Sequence, residues 1–443
     1  MLKKFPVGGS LENQISVSPR PFLLQASSYQ VWIQVIGRIL HQVGHGSIHF
    51  FMPLIFVNEL HFSATMIGLG ISIGSLTGVI GNFVGGYLAD SPRYGRKQTL
   101  LLSGVLSIAG ALMLAWLQNF PSLIVANILM GLSGGCYWTP VDALIIDTTP
   151  KEQRQKAFAL LGLASNLGTG IGVLGGGILL SILARESQVI FAINGLVLVA
   201  FLVLIQIAIP DTRQENHEHS ETRPQFGSAL KDRTLLLFVL LNVLFTTYIA
   251  LVNNILPLYF TNFISAGVSQ ITLSKDATVT SVANLFTWFY VGLGTLLQLP
   301  LVQLLGSWLL NTQVLMISMI LWGAGFFFVW ATHLISSLPI IGMIIAFSVL
   351  TIASDIYRPF SATFVAELAP ESLRGVYLAI SHQCWPIGLF FGPLLGGWAM
   401  DQSPIIAHYF WIAIAVSSLS GLVLLYVLKS WISLESQEDA PAI

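Results

Sequence analysis

Twelve long apolar stretches, six on either side of one charged interruption, leave this chain few folds to choose from. A helix crosses a bilayer with about 20 apolar residues. In lipid the backbone must satisfy its own hydrogen bonds, which a helix does and an open strand does not. The stretches fall near 29–57, 65–89, 98–117, 121–147, 155–184 and 189–209, then near 234–264, 282–305, 313–331, 337–368, 375–399 and 407–430. Between the two sets, the segment from Asp211 to Arg233 mixes Asp211, Arg213, Glu215, Glu218, Glu221 and Arg223 and reads as a solvated linker. The expected fold is an all-α membrane protein of twelve transmembrane helices in two pseudo-symmetric six-helix bundles. A tail over 1–28 precedes a first bundle over 29–209, the linker over 210–233 leads to a second bundle over 234–430, and a tail over 431–443 follows. Charged residues are only 9% of the chain, against roughly 25% in soluble domains, so lipid must face most of the surface. The net charge of −1 gives no basis for binding nucleic acid. Cys136 and Cys384 both lie in apolar stretches and read as small buried side chains, not as a disulfide framework.

Basic residues set the orientation. Arg93, Arg96, Lys97, Lys151, Arg154, Lys231, Arg233, Arg374 and Lys429 fall on one side together with the cations of the N-terminal tail and linker, while Arg185 and Lys275 fall on the other. Both termini and the linker are therefore expected in the cytoplasm, with the chain threaded many times through the cell membrane.

The two halves echo each other in sequence. Pro53-Leu54-Ile55-Phe56-Val57-Asn58 returns as Pro257-Leu258-Tyr259-Phe260-Thr261-Asn262, an offset of 204. Beyond the loop around Lys275 the offset becomes 220, pairing Asp147, Pro150 and Arg154 with Glu367, Pro370 and Arg374, and Gly172, Gly176 and Gly177 with Gly392, Gly396 and Gly397. Parallel repeats of this kind, related by an axis along the membrane normal, put a binding site between the halves near the bilayer midplane.

The loop after the second stretch reads Gly86-Tyr87-Leu88-Ala89-Asp90-Ser91-Pro92-Arg93-Tyr94-Gly95-Arg96-Lys97. It resembles the G-x-L-a-D-r-x-G-r-[KR] signature of the major facilitator superfamily, at the same place between spans two and three. The resemblance implies the twelve-helix fold and a gating role for Gly86, Asp90, Arg93, Gly95, Arg96 and Lys97. In the second half, Gly306-Ser307-Trp308-Leu309-Leu310-Asn311 keeps only the glycine, so a charge latch is expected in the first half alone. The fifth span places Gly168, Gly172, Gly176 and Gly177 in the pattern G-x3-G-P-x2-G-G of the family's antiporters, with Val173 at the proline position. The eleventh holds the pattern intact as Gly388, Gly392, Pro393, Gly396 and Gly397. Small residues at this spacing let helices approach closely, and such packing is expected at the seam between the halves. The second span adds Gly70, Gly74, Gly78, Gly81 and Gly85. Exporters of the family often carry an Arg in the fourth span where Asn127 stands here, so no relay built on that Arg carries over.

Ionisable groups at bilayer depth cost about 2.5–3.5 kcal/mol each even on lenient scales and are functional candidates. Gln34, Arg38, His41, Gln42, His45 and His49 fall within an arc of about 100° on the first span. Such a stripe must face protein or water, and the resemblance implies a cavity wall, since spans one, four, seven and ten line the central cavity in the family. Asp142 in the fourth span can come near Arg38, while Asp355 and Arg358, three apart in the tenth, can pair on one face. His382 lies in the eleventh span. Asp142 and Asp355 are the proton-coupling candidates, because a carboxylate shielded from water holds its proton more readily. The i, i+4 spacing of His41, His45 and His49 leaves three readings open: hydrogen-bonding or titrating side chains, a structural stripe, or a metal ladder, the last without an evident third ligand.

The resemblance implies secondary active transport of a small molecule by alternating access, coupled to protons and closest to the drug-exporting branch. No G-x-x-x-x-G-K-[ST] stretch points to ATP, and nothing calls for a cofactor or for catalysis by an enzyme. A monomer suffices for such a mechanism. The alternatives are an importer of an organic anion or sugar, favoured by Arg38 and Arg358, and a transport-inactive receptor or scaffold.

Overall fold

The computed structural model describes residues 29–150, 153–183, 187–209, 229, 231–264, 275–334, 339–370 and 373–438. The 1–28 tail, nearly all of the 210–233 linker and residues 439–443 lie outside the described residues, as do the side chains of Arg185, Lys275 and Arg374. The first half consists of α1 (Tyr29–Asn58), α2 (Ala64–Asp90), α3 (Gly95–Ala115), α4 (Phe120–Thr148), α5 (Arg154–Leu183) and α6 (Val189–Ala208). In the second half α7 (Arg233–Asn254) is prolonged by a short turn and a π-helical stretch, Phe260–Ile264. Next, α8 runs as Lys275–Leu285, a π-helical Phe286–Gly292 and Leu293–Trp308, followed by α9 (Asn311–Ala331), α10 (Pro339–Leu368), α11 (Arg374–Met400) and α12 (Pro404–Glu438). Helix α12 thus continues eight residues into what the sequence suggests is a tail, since Trp431 to Glu438 carry no helix breaker.

Eleven of these helices are long and apolar enough to cross a membrane among the described residues. Helix α1 is long enough at 30 residues, but its polar stripe dilutes the apolar content. It is viable as a span because that stripe is covered by protein, with α5 and α6 packed along its length. Local chemistry sets several boundaries. Ser63 caps α2 by accepting from the Met66 amide at 3.1 Å, Asn119 caps α4 from Ser122 at 3.0 Å, and Asp232 caps α7 from Thr234 at 2.8 Å. The turn between α2 and α3 needs a left-handed residue, and Gly95 supplies it at φ 72°.

The glycine series packs within each half. Gly168, Gly172 and Gly176 on α5 lie against Ile39, Val43 and Phe51 of α1, and a Cβ on Gly168 would stand 2.7 Å from the Ile39 carbonyl oxygen. The repeat holds in three dimensions: Gly388, Gly392 and Gly396 on α11 lie against Thr246, Thr247 and Ile255 of α7. Gly74, Gly81 and Gly85 on α2 meet Asn127, Leu132 and Cys136 on α4 in the same way. The antiporter-type motifs serve both kinds of contact: most of their glycines bring α5 onto α1 and α11 onto α7, while Gly177 against Thr280 and Ala283, Gly397 against Ala64 and the Pro393 carbonyl against Gly68 lie on the seam.

The hydrogen bonds seen between the halves gather at one end. The Ser72 hydroxyl donates to the Phe390 carbonyl at 2.6 Å, and Thr280 donates to the Gly177 carbonyl at 3.0 Å. Asp401, just past α11, accepts from the amides of Ala64 and Thr65 at 2.7 Å each and from the Thr65 hydroxyl at 2.5 Å. This clasp closes the end opposite the Asp90 loop. Toward the Asp90 end, Phe83 and Tyr87 on α2 and Trp385 on α11 stand exposed.

Candidate functional site

The polar stripe of α1 turns into the first bundle. His41 stacks on Tyr137 of α4 with ring centroids 3.5 Å apart and planes 4° from parallel, and on His45 at 4.2 Å. His45 Nε2 lies 3.0 Å from the Ser107 hydroxyl of α3, which continues through a short bond to Ser133 and on to the Ser103 carbonyl. His49 is 6.3 Å further along by ring centroids, and Gln42 meets His41 Nδ1 at 3.3 Å. Gln34 donates to Thr148 at 3.4 Å at the other end of the stripe. His41 and His45 are buried against α3, α4 and α6 in this conformation, so the cavity-wall expectation is corrected for them. The physical reason is Tyr137, whose ring covers the imidazole. For a metal ladder the rings would have to turn from Tyr137 and Ser107, and no cluster of three His, Cys, Asp or Glu occurs among the described residues.

Arg38 sits one turn nearer the Asp90 end and joins two helices. Its Nη2 is 3.7 Å from Asp142 Oδ1, and its guanidinium lies over the Trp138 ring at 4.3 Å and beside Tyr137 at 5.2 Å. The Arg38 side chain is 3% exposed and that of Asp142 45%. The cation is therefore locked in protein while the anion faces out. His382, exposed on α11 of the other half, stands within electrostatic reach of Asp142. The sequence pairing of Arg38 with Asp142 holds in space.

The second half keeps this layer's geometry with different chemistry. At the offsets of the repeat, His41 and Tyr137 become Phe245 and Tyr357, and these rings also stack, at 4.3 Å and 24°. Arg38 becomes Asn242, which accepts from the Tyr357 hydroxyl and from Ser361 at 3.3 Å and donates to Ser381 at 2.9 Å. Trp138 becomes Arg358. The expected ion pair between Asp355 and Arg358 does not form. Arg358 is exposed and reaches over Trp385 at 5.9 Å, whereas Asp355 is buried against α8. Three residues along a helix share a face only when both side chains turn to it, and here Asp355 is drawn to the gap at Gly294. Asn242, Tyr357 and Ser381 were not singled out from sequence; the offset of 204 applied to Arg38 leads to Asn242.

The Asp90 loop also differs in detail from the expectation. Arg96 is 8% exposed and binds Asp147 of α4 and the Ala143 carbonyl at 2.8 Å. Lys97 donates to the Gln206 carbonyl of α6 at 2.9 Å. Asp90 is exposed, as is Arg93, whose guanidinium lies 5.8 Å from the Tyr94 ring. Gly86 is loosely packed, its nearest neighbour Thr139 at 3.6 Å from a built Cβ. Arg96 and Lys97 thus tie α3 to α4 and α6 within the first half. The second half has a hydrogen bond without a cation between the corresponding helices, Asn311 donating to Glu367 at 2.6 Å.

Comparison with known proteins agrees with this architecture. A family model described as Major Facilitator Superfamily matches residues 35–273 and 255–440. A protein described as a Na(+), Li(+), K(+)/H(+) antiporter from Planococcus maritimus is 25% identical over 389 residues, covering 82% of this chain and 87% of that protein. The quinolone resistance protein NorA of Staphylococcus aureus is 22% identical over 404 residues, covering 90% and 96%. Among solved structures, the nucleoside transporter NupG superposes with a TM-score of 0.75 at 14% identity, over 90% of this chain and 99% of that one.

Proposed function

This chain belongs to the Major Facilitator Superfamily and is a secondary active transporter rather than an enzyme, and from that premise we propose that it exports a small organic molecule in exchange for protons. The observation that carries the reading is the Arg38–Asp142 pair, with the carboxylate half exposed and His382 of the other half within reach. A proton taken up by Asp142 cancels its attraction to Arg38 and the field it exerts at His382, so occupancy by a proton alters a contact within one half and a field between the two. A ligand can shift a conformational equilibrium only through such differential contacts. Two relatives support export with ion exchange: one is described as a quinolone resistance protein, the other as an antiporter of alkali cations and H(+).

The basic loops support a cytoplasmic Asp90 end. On that orientation the Asp401 clasp is extracellular, and the arrangement described here is closed outside and faces inward. Asp90 and Arg93, exposed in this state, are then the groups free to engage the second half when the inner end closes. Both termini are cytoplasmic, and the protein works as a monomer in the cell membrane.

The test uses proteoliposomes loaded with ethidium or a fluoroquinolone under an imposed pH gradient. Asp142→Asn and Asp355→Asn are each compared with wild type, with proton flux followed by an internal pH dye. At least one substitution is expected to lower gradient-driven transport tenfold or more while downhill transport persists. Gradient-driven transport unchanged in both would sink the reading. Import of an organic anion is the second reading, favoured by the exposed Arg358 guanidinium over Trp385. It predicts accumulation of an aromatic carboxylate in vesicles whose gradient drives protons inward.

A further inference from the structure

We propose that His333 and His408, at the Asp401 end of the second half, form a binding site for a divalent transition metal ion, Cu²⁺ ahead of Ni²⁺ and Zn²⁺. His333 lies in the single 3₁₀ turn that closes α9, Thr332–Leu334. His408 lies in the second turn of α12, shortly after Asp401. Their rings stack with centroids 4.4 Å apart and planes 13° from parallel. Neither residue belongs to the polar stripe of α1 or to the layer around Arg38 and Asn242, and transport as described above uses neither.

Each ring is anchored through the same nitrogen. His333 Nδ1 lies 2.5 Å from the Trp330 carbonyl oxygen. A carbonyl only accepts, so in the neutral ring Nδ1 carries the hydrogen and Nε2 keeps its lone pair. His408 Nδ1 meets the Tyr259 hydroxyl of α7's terminal turn at 2.8 Å. That hydroxyl can turn to accept, which opens the same tautomer to His408. Tyr259 is itself buried and packed against Trp411, so this anchor is fixed. A metal-bound imidazole is held in the same manner, with its other nitrogen donating to a carbonyl or a similar acceptor that sets tautomer and ring direction.

What remains free is the second nitrogen of each ring. Among the described residues no hydrogen bond engages either Nε2, and neither is shut off from solvent as His41 Nε2 is. Both side chains are partly exposed. Stacking alone leaves these two lone pairs to water. One ion takes both, once the ring edges tilt together to bring it about 2.0–2.1 Å from each nitrogen. It would then tie α9 to α12 and, through Tyr259, to α7. No Asp, Glu or Cys completes a cluster of three among the described residues, so water fills the other positions and the ion exchanges freely. Imidazole and water select Cu²⁺, the tightest binder of the divalent series, with Ni²⁺ and Zn²⁺ behind it. Ca²⁺ and Mg²⁺ require oxygen ligands and are excluded.

The experiment titrates CuCl₂ into detergent-purified full-length protein with its affinity tag removed, and with His217 and His219 of the linker changed to Asn so that they do not compete. Binding is read by quenching of tryptophan fluorescence, since the Trp330 ring lies 5.4 Å from that of His333. Pulsed electron resonance of the bound Cu²⁺ counts its imidazole ligands. One Cu²⁺ per chain with two imidazoles is expected, together with a saturable rise in Tm of about 1–3 °C. His333→Ala and His408→Ala should each raise the Kd at least tenfold and leave one imidazole, and Tyr259→Phe should raise it about tenfold by freeing the ring. His61→Asn, in the loop before α2, should change nothing. Should an alanine variant fail to fold, His333→Phe keeps a stacking ring without the ligand and is expected to lose the site in the same way. A single imidazole in wild type, or no stoichiometric binding, overturns the proposal and leaves an ordinary stacked pair. Binding that survives both His333→Ala and His408→Ala overturns it as well, as adventitious copper at another histidine. None of these outcomes depends on the direction or coupling of transport.

Discussion

Asp401→Ala should open the clasped end of the seam. The Asp401 carboxylate takes two backbone amides and a hydroxyl at the N-terminus of α2, 336 residues away in sequence. It does for α2 from the other half what an N-cap does locally, and such caps are worth about 0.5–2 kcal/mol. A hydrogen bond to a charged group is worth about 1.5–3 kcal/mol when buried, but this site is exposed, so the clasp as a whole contributes about 1–2 kcal/mol. The carboxylate is also misplaced at the negative C-terminal end of its own helix; that cost is present in both states and cancels in their ratio. At 1.4 kcal/mol per decade the closed-to-open ratio falls about 5–30-fold. An outer-open form at about 1% in wild type would rise to about 5–25%. Spin labels at Gln118 and Leu334, exposed in outer loops of the two halves and away from the clasp, report the separation by pulsed electron resonance, with Cys136 and Cys384 replaced by alanine. A second, longer distance should appear in Asp401→Ala and, more weakly, in Asp401→Asn, which retains one acceptor oxygen. A distance distribution identical to wild type in a variant that still transports would refute the reasoning.

Gly392→Leu forces a side chain into a position where even Cβ would stand 2.8 Å from Ala250 Cβ. Overpacking of this kind costs about 1–3 kcal/mol or more, so Tm should drop in detergent, whereas Gly162→Ala, with open space around it, should be neutral. Arg96→Ala removes the bonds to Asp147 and the Ala143 carbonyl; flux in proteoliposomes should fall further than Tm, and Arg96→Lys should recover part of it. Tyr357→Phe takes one of the two donors from the Asn242 oxygen and leaves Ser361. A loss of about 1 kcal/mol follows, read as a lower denaturation midpoint with transport retained.

Hydropathy and repeat made the fold legible, because lipid permits only one kind of backbone and duplication leaves ordered echoes. Even α1, too polar to pass as a span on composition, betrays itself by carrying Gln34, Arg38, His41, Gln42, His45 and His49 on one face. Side-chain pairing was legible where the partners lay on different helices at matching depth, as Arg38 and Asp142 do. It was misjudged for Asp355 and Arg358, where proximity along one helix says nothing about which way each turns. What drew Asp355 inward was a glycine on α8, and nothing in the spacing of either residue reveals a vacancy on another helix. The Asp401 clasp was hidden for a related reason. An Asp just past a helix end reads as an ordinary loop residue until the start of α2 is brought against it.

The divergence of the halves has a consequence for coupling. At the layer of stacked rings, 3.5 Å apart for His41 and Tyr137 and 4.3 Å for Phe245 and Tyr357, the repeat preserved shape and reassigned charge. The first half holds a buried cation against a half-exposed anion, Arg38 with Asp142. The second half holds an exposed cation and a buried anion, Arg358 and Asp355, facing different neighbours. Two identical halves would respond alike to a proton and gain no preference for either opening. Rigidity within the bundles is what makes the difference useful. Close glycine contacts bind α5 to α1 and α11 to α7, and at the Asp401 end they also cross the seam, Gly68 against the Pro393 carbonyl and Gly397 against that of Ala64, beside the polar bonds there. A change of charge in one half is therefore released most cheaply at the Asp90 end of the seam, where Phe83, Tyr87 and Trp385 stand exposed, because moving any helix inside a bundle would cost packing that this end does not have to lose.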